Sequence, residues 1–287
     1  MEPGQPSRTA FAAAAHRAAH QLLEGGRVFT DPLATALLGA APADLTGEAA
    51  QQPAARGMRL FIAARSRFAE ESLAAAVARG VRQYVVLGAG LDTFAHRNRF
   101  TDEGLRVFEV DYPATQAWKR ERLAEAGLTT PASLTFAPVD FERQTLGDGL
   151  AAAGFDAAAP AFFSWLGVVV YLTRAAIRET LDFIAGLPGG GEVVFDYGEP
   201  VSAFPQGRLR SLQMTRAQRA ARMGEPWITR FDPPELAAML RELGFDELED
   251  LGPAQIGRRF LGVERRDGPG GHLMRAKVFV SSVVSNT

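Results

Sequence analysis

An apolar run that ends in two closely spaced glycines constrains this chain more than any other stretch. It reads Tyr84-Val85-Val86-Leu87-Gly88-Ala89-Gly90-Leu91-Asp92-Thr93. A short run with no polar alternation predicts a strand buried on both faces of a parallel sheet. The glycines let the backbone turn sharply and leave no Cβ to block a ligand lying over it. A second run, Val107-Phe108-Glu109-Val110-Asp111, closes on an acidic pair. Asp111 follows Gly90 by 21 residues, the spacing at which the second strand of a nucleotide-binding βαβ unit ends. A carboxylate there accepts from both hydroxyls of a ribose. Thr93 stands where the third glycine of a dinucleotide fingerprint would be. That disfavours a pyrophosphate against a helix N-terminus and favours a nucleoside without phosphates, such as S-adenosyl-L-methionine. A tight strand-to-helix turn with no ligand is the plain alternative.

Totals exclude several classes. A chain of 287 residues with 47% hydrophobic content accommodates one large α/β domain with a cap, or two small domains. A net charge of −2 gives no case for nucleic acid or an anionic membrane as partner. No cysteine is present, so disulfides, thiolate metal sites and cysteine nucleophiles are excluded. The four histidines, His16, His20, His96 and His272, show no zinc spacing, and no metal is expected. With no signal-peptide core and no run of 18 apolar residues, a soluble cytoplasmic location is the expectation.

Strands and helices alternate through the middle of the chain. Strands are expected at 84–88, 107–111, 134–139, 161–166 and 191–197. A helix or turn falls at 92–99, with helices from Pro113 to about Ala126 and over 173–186, the latter capped by Thr173. This repetition calls for a doubly wound, mostly parallel α/β sheet. Before it, a helix opens at Asp31-Pro32 and a long Arg- and Ala-rich helix covers 54–79. After residue 200 a polar helical insertion covers 202–224, and Asp232-Pro233-Pro234-Glu235 opens a helix through Leu243. Final strands at 245–251 and 273–281 are expected to be antiparallel, and the Gly- and Arg-rich piece 257–271 reads as a mobile loop. One core is expected throughout: a helical cap region over 1–80, a cofactor core over 81–200, and a substrate-side insertion with terminal strands over 201–287.

Taken in order, these pieces resemble the leucine carboxyl methyltransferase family, and its bacterial branch in particular. They are Thr9-Ala10 with Arg17-Ala18, Phe29-Thr30-Asp31-Pro32, Ala64-Arg65-Ser66-Arg67, the Gly88–Gly90 turn, Phe108 to Pro113 with Lys119, Asp140-Phe141, Val170-Tyr171-Leu172-Thr173 and Phe195-Asp196-Tyr197. The resemblance implies a class I methyltransferase (Rossmann-like) fold with an N-terminal helical cap. It also implies S-adenosyl-L-methionine as cofactor and methyl transfer to an oxygen, often a carboxylate, with a small-molecule acceptor of the kind met in secondary metabolism. By the same resemblance Arg65 meets the methionine carboxylate, a job that suits a guanidinium fork. Gly88, Ala89 and Gly90 lie beneath the cofactor, Asp111 with Tyr112 meets the ribose, and Asp140 with Phe141 lies beside adenine. Leu166 completes the cofactor wall, and Tyr171 and Arg275 are acceptor-side candidates. The chain departs from the founding members in one place. They carry a glutamate just before the Val-Tyr-Leu piece, whereas here Ser164 to Tyr171 contains no acid. That argues against a phosphatase tail as acceptor.

Plainer roles stand beside these. Arg65 can be a solvated helix arginine, Asp111 a cap for the Pro113 helix, Asp140 a turn residue and Asp31 a cap. Trp165 and Tyr171 suit a pocket wall. His96 and His272 are candidate general bases, and Arg258, Arg259 and Arg275 suit either an acidic acceptor or a solvated face. Two other functions share the turn. A nicotinamide-dependent oxidoreductase would need phosphate room and a Tyr-x-x-x-Lys pair, which is missing. A non-enzymatic module would bind S-adenosyl-L-methionine or a nucleotide and report on it.

Overall fold

The computed structural model describes residues 7–141, 143–222, 224–264 and 268–278. Within them, seven strands form one sheet in the order β3-β2-β1-β4-β5-β7-β6. The parallel strands are β1 (Gln83–Leu87), β2 (Arg106–Asp111), β3 (Leu134–Pro138), β4 (Ala161–Trp165) and β5 (Gly191–Gly198). β7 (Gly271–Lys277) runs antiparallel between β5 and β6 (Glu247–Leu251). This is the doubly wound, class I methyltransferase order, with the antiparallel final pair expected above. The order reverses beside β1, so the carboxyl ends of β1, β2 and β4 meet at the switch point where such sheets bind ligands.

The apolar runs become central strands because both faces are covered. Val85 and Leu87 pack with Phe108, Phe163 and Phe195 on one face, while Tyr84 and Val86 pack with Phe68, Leu73 and Phe162 on the other. The second face lies under α5 (Pro53–Ala78), and of the helices before it, α1 (Arg8–Glu24), α2 (Leu33–Leu38), α3 (Pro42–Thr46) and α4 (Glu48–Gln51), the first three bring Ala14, Leu37 and Leu45 into a cluster with Leu91 and Leu123. Two buried arginines tie them together. Arg59 of α5 makes two 2.7 Å bonds to Glu24 of α1, and Arg17 of α1 donates to Asp31 at 2.8 Å and to the Leu91 carbonyl at 2.6 Å. Each carboxylate has a second cation nearby, Arg56 beside Glu24 at 3.6 Å and Arg97 beside Asp31 at 3.5 Å, so replacing either buried arginine should cost roughly 1–3 kcal/mol. Arg17 thereby fastens the cap to the segment just after the glycine turn.

Between and after the strands come α6 (Pro113–Glu125), α7 (Leu146–Ala152), α8 (Arg174–Ala185), α9 (Arg208–Arg222), α10 (Pro233–Glu242) and α11 (Pro253–Ile256). α7 was not anticipated. Its signal is the Thr145-x-x-Asp148 cap, in which the Thr145 hydroxyl accepts from the Asp148 N–H at 3.1 Å. Thr173 caps α8 as expected, accepting from the Ala176 N–H. The expected loop over 257–271 is corrected at 257–261, while 262–264 and 268–270 have no regular structure. Residues 253–261 are helical, with a π turn at Gly257–Leu261. Ile256 and Phe260, four apart, are both buried, and Phe260 packs edge-on against Phe68 of α5. Those two apolar residues outweigh the glycines and arginines around them. Residues 265–267, and the 279–281 end of the expected last strand, lie outside the described residues. No helix among the described residues is long and apolar enough to cross a membrane.

Candidate functional site

The glycine turn leaves β1 with Gly88 at φ 64° and Gly90 at φ 48°, values that an L side chain adopts only with strain. Ala89 N–H donates to the Val110 carbonyl at 3.1 Å, which fixes the turn against β2. Asp111 then closes on it. Its Oδ2 accepts the Gly90 N–H at 2.5 Å and its Oδ1 accepts the Tyr112 N–H at 2.7 Å. Burial pushes the Asp111 carboxyl above its ordinary range, while those two N–H groups and the Lys119 charge pull the other way. Tyr112 is the N-cap position of α6. Val139 N–H donates to the Asp111 carbonyl at 2.9 Å, so Asp140 and Phe141 leave the sheet beside the same acid. Phe141 is 62% exposed, an unusual position for a phenyl ring with nothing to stack on.

A second group gathers at the ends of β4 and β5. Leu166 follows β4 and packs against the core face under α5. Arg65, on the buried side of α5, donates from Nη1 to Asp196 Oδ2 at 3.0 Å. The other oxygen of Asp196 accepts the Gly167 N–H at 2.5 Å. Arg65 Nε is buried and has no partner. Tyr171 ends a 3₁₀ turn, with Thr9 and Trp227 near its hydroxyl. Burial raises its phenol above the ordinary value.

Two contacts join these groups and roof the turn. A Cβ on Gly88 would lie 2.5 Å from a methyl of Val168, and one on Gly90 would lie 2.8 Å from the Ala10 Cβ of α1. The start of α1 is held in turn by Glu225, whose carboxylate accepts from the Ser7 hydroxyl at 3.1 Å and from the Arg8 and Thr9 N–H groups at 3.2 Å each. α1 and the 225–229 segment therefore form a strap across the carboxyl ends of β1 and β4. A cavity of about 350 Å³ opens elsewhere, beside Glu199, Pro253 and His272.

Arg65, Gly88, Ala89, Gly90, Asp111, Tyr112, Asp140, Phe141, Leu166 and Tyr171 thus gather at one edge of the sheet. Arg275 does not join them. It lies on β7 opposite Val194, bonded to Glu249 at 3.0 Å, Glu247 at 2.8 Å and Glu192 at 3.4 Å. Three carboxylates of the protein's own already neutralise it, which corrects that assignment. Arg259 is likewise engaged by Glu71 and Glu249. Asp31 acts as a cap, accepting from the Ala34 N–H at 3.2 Å and from the Thr93 hydroxyl at 2.7 Å. His272 lies among Tyr197, Asp250 and Glu199. Sequence reasoning missed Ala10, Val168 and Glu225. Ala10 stood in a noted piece without a role, Val168 and Glu225 carry no motif, and only the chain's path brings them over the turn. Asp196 stood in a noted motif without a role. Among the described residues no three His, Cys, Asp or Glu side chains converge as a metal site requires.

Comparison with known proteins adds the rest. A family model described as leucine carboxyl methyltransferase matches residues 10–185. The Bacillus subtilis (strain 168) protein named "Putative S-adenosyl-L-methionine-dependent methyltransferase YktD" is 37% identical over 201 residues, which is 69% of this chain and 64% of that protein. The chain thus spans under two thirds of that relative's length. A relative from Mycobacterium avium (strain 104) with the same descriptive name is 35% identical over 263 residues, 83% of this chain and 82% of that one. A solved magnesium protoporphyrin IX methyltransferase from Synechocystis PCC 6803 aligns with TM-score 0.46 and 10% identity, over 78% of this chain and 88% of that one.

Proposed function

The chain belongs to the leucine carboxyl methyltransferase family, and from that premise we propose that it binds S-adenosyl-L-methionine at the Gly88–Gly90 turn and methylates a carboxylate oxygen of a small molecule. The observation that carries the reading is the junction of turn and acid. Each oxygen of Asp111 takes one backbone N–H and keeps a lone pair for a ribose hydroxyl. Asp140 and Phe141 emerge beside it, a carboxylate for an exocyclic amine and an exposed ring for a base. At the other end Arg65 has a buried, unpartnered Nε, a donor suited to a carboxylate. The residues present fit a nucleoside joined to an amino acid.

When bound, the cofactor supplies an electrophilic methyl group on a sulfonium. The chain's own task is then to align and to exclude water. Tyr171, Thr9, Trp227 and the α1 strap are placed to close over the acceptor side. A carboxylate acceptor is already ionised at neutral pH and needs no base. That suits a site edge in which Asp31 is committed to Arg17 and Thr93, and His272 to Asp250 and Glu199.

The test is calorimetry with S-adenosyl-L-methionine, S-adenosylhomocysteine and NAD, followed by transfer of a labelled methyl group to a panel of small carboxylic acids and phenols. Cofactor binding with ester products supports the reading. Binding of NAD without the sulfonium overturns it, methylation of phenols alone overturns the carboxylate, and binding without transfer to any acceptor favours a sensing module.

A further inference from the structure

Beneath the ribose-side acid lies a polar cluster that the function above does not use. Lys119 of α6 is fully buried and donates to Glu109 Oε2 of β2 at 2.6 Å. Glu109 is also fully buried, and its Oε1 has no partner. Gln116, one turn before Lys119, donates to the Glu109 carbonyl at 2.7 Å. Thr115 Oγ1 and both ring nitrogens of His96 are buried without partners as well. Buried polar groups are rarely left so, and a cluster of them beside a site has a physical consequence for the site's charges.

Strand alternation places Glu109 and Asp111 on one face of β2, the face under α6. The charged and titratable groups about Asp111 are Glu109 on its own strand, Lys119 on α6, Tyr112 at the α6 cap and Asp140 after β3, while Asp92 acts on Glu109 and His96. Lys119 acts electrostatically on Asp111, on Glu109 and on His96. Burial holds the imidazole below its ordinary range, so His96 adds no charge near neutrality. Burial likewise lifts Glu109 to about 7. Below that pH the carboxyl is protonated, and the Lys119 charge reaches Asp111 without cancellation.

We propose that Lys119 is a positioning residue for cofactor binding: a buried cation under β2 that holds Asp111 in the ionised form able to accept both ribose hydroxyls. The cofactor half of this rests on the reading above, but the charge coupling does not. The reason is the balance at Asp111. Burial opposes its charge and prevails, two backbone N–H groups and Lys119 offset it in part, and Lys119 is the cation among them. Glu109 is the group that holds this cation in place, and its unionised form lets the cation act.

The test follows the Asp111 carboxyl by carbon-13 NMR in the full chain from pH 4 to 8, with calorimetry of S-adenosylhomocysteine over the same range. Lys119→Met should raise the Asp111 midpoint by about one pH unit, and the pH at which affinity falls should rise with it. Lys119→Arg should restore both. Glu109→Gln breaks the same 2.6 Å contact, yet should leave the midpoint in place or lower it. A pair that merely braces α6 against β2 would respond alike to both substitutions. If Lys119→Met fails to fold, the Lys119→Met/Glu109→Gln double variant removes both buried charges and should still show the raised midpoint. An unmoved Asp111 midpoint overturns the proposal, as does a moved midpoint with unmoved affinity. A parent protein that binds no S-adenosylhomocysteine overturns the cofactor reading instead, and the NMR midpoint alone then decides the coupling.

Discussion

Arg65 and Asp196 stand 131 residues apart in the chain, yet the arginine Nη1 donates to the aspartate Oδ2 at 3.0 Å, with both side chains largely buried. The pair joins α5 to the end of β5. It also means that the arginine expected to grip a ligand carboxylate already holds one of the protein's own, with Nε left over.

Replacing Arg65 should therefore have two effects. Arg65→Ala should weaken S-adenosylhomocysteine binding roughly ten- to over a hundred-fold, the loss of about 1.5–3 kcal/mol from a charge-assisted contact. It should also cost roughly 1–3 kcal/mol of stability, because Asp196 loses its cation. Titration calorimetry and urea unfolding separate the two. Parental affinity in a destabilised Arg65→Ala would reduce Arg65 to the partner of Asp196. Asp111→Ala should weaken the same binding by a similar factor.

The glycine turn allows a sharper stability test. Gly88→Ala forces an L residue to φ 64° and drives a methyl into Val168. The backbone strain alone costs about 1–2 kcal/mol. Adding Val168→Ala should relieve the clash and leave that strain. Thermal unfolding of the single and double variants reads the difference, and equal melting points would refute the contact.

Glu225 holds the start of α1 over the turn. A carboxylate at a helix N-terminus contributes about 0.3–1 kcal/mol. Glu225→Ala should speed amide exchange in the first turn of α1 about two- to five-fold. It should also speed cofactor association, because the strap opens more often. Faster exchange with unchanged association kinetics would show that the strap does not gate the site.

His272 makes stability pH-dependent. Burial disfavours its charged form, but Asp250 and Glu199 outweigh burial and raise its pKa. A raised folded-state value favours the protonated folded form. The added stability is fully present below the ordinary value of about 6.5 and is lost as pH rises through the folded-state value. Asp250→Asn should flatten that fall and cost roughly 1–3 kcal/mol near pH 6, since Tyr197 and His272 lose a shared charged acceptor. Urea midpoints between pH 5.5 and 8.5 test it, and an unchanged slope would contradict it.

The amino-acid sequence by itself determined the strand order's raw material: five apolar runs, the Gly88–Gly90 turn and an acid at the end of the second run. Those are local signals, set by side-chain period and backbone freedom, and Thr173 at the start of α8 is of the same kind. Tertiary structure alone decided which distant residues meet. Ala10 and Val168 over the glycines, Glu225 under α1 and Asp196 on Arg65 depend on where the chain travels between elements. Arg275 shows the converse. As an isolated arginine it suits an acceptor, but the antiparallel pairing of β7 with both β5 and β6 sets three glutamates around it. Helix 253–261 formed against expectation because Phe260 gains burial against Phe68, a partner that no nearby residue announces. A burial energy shared between positions far apart in the chain leaves no periodic trace at either one.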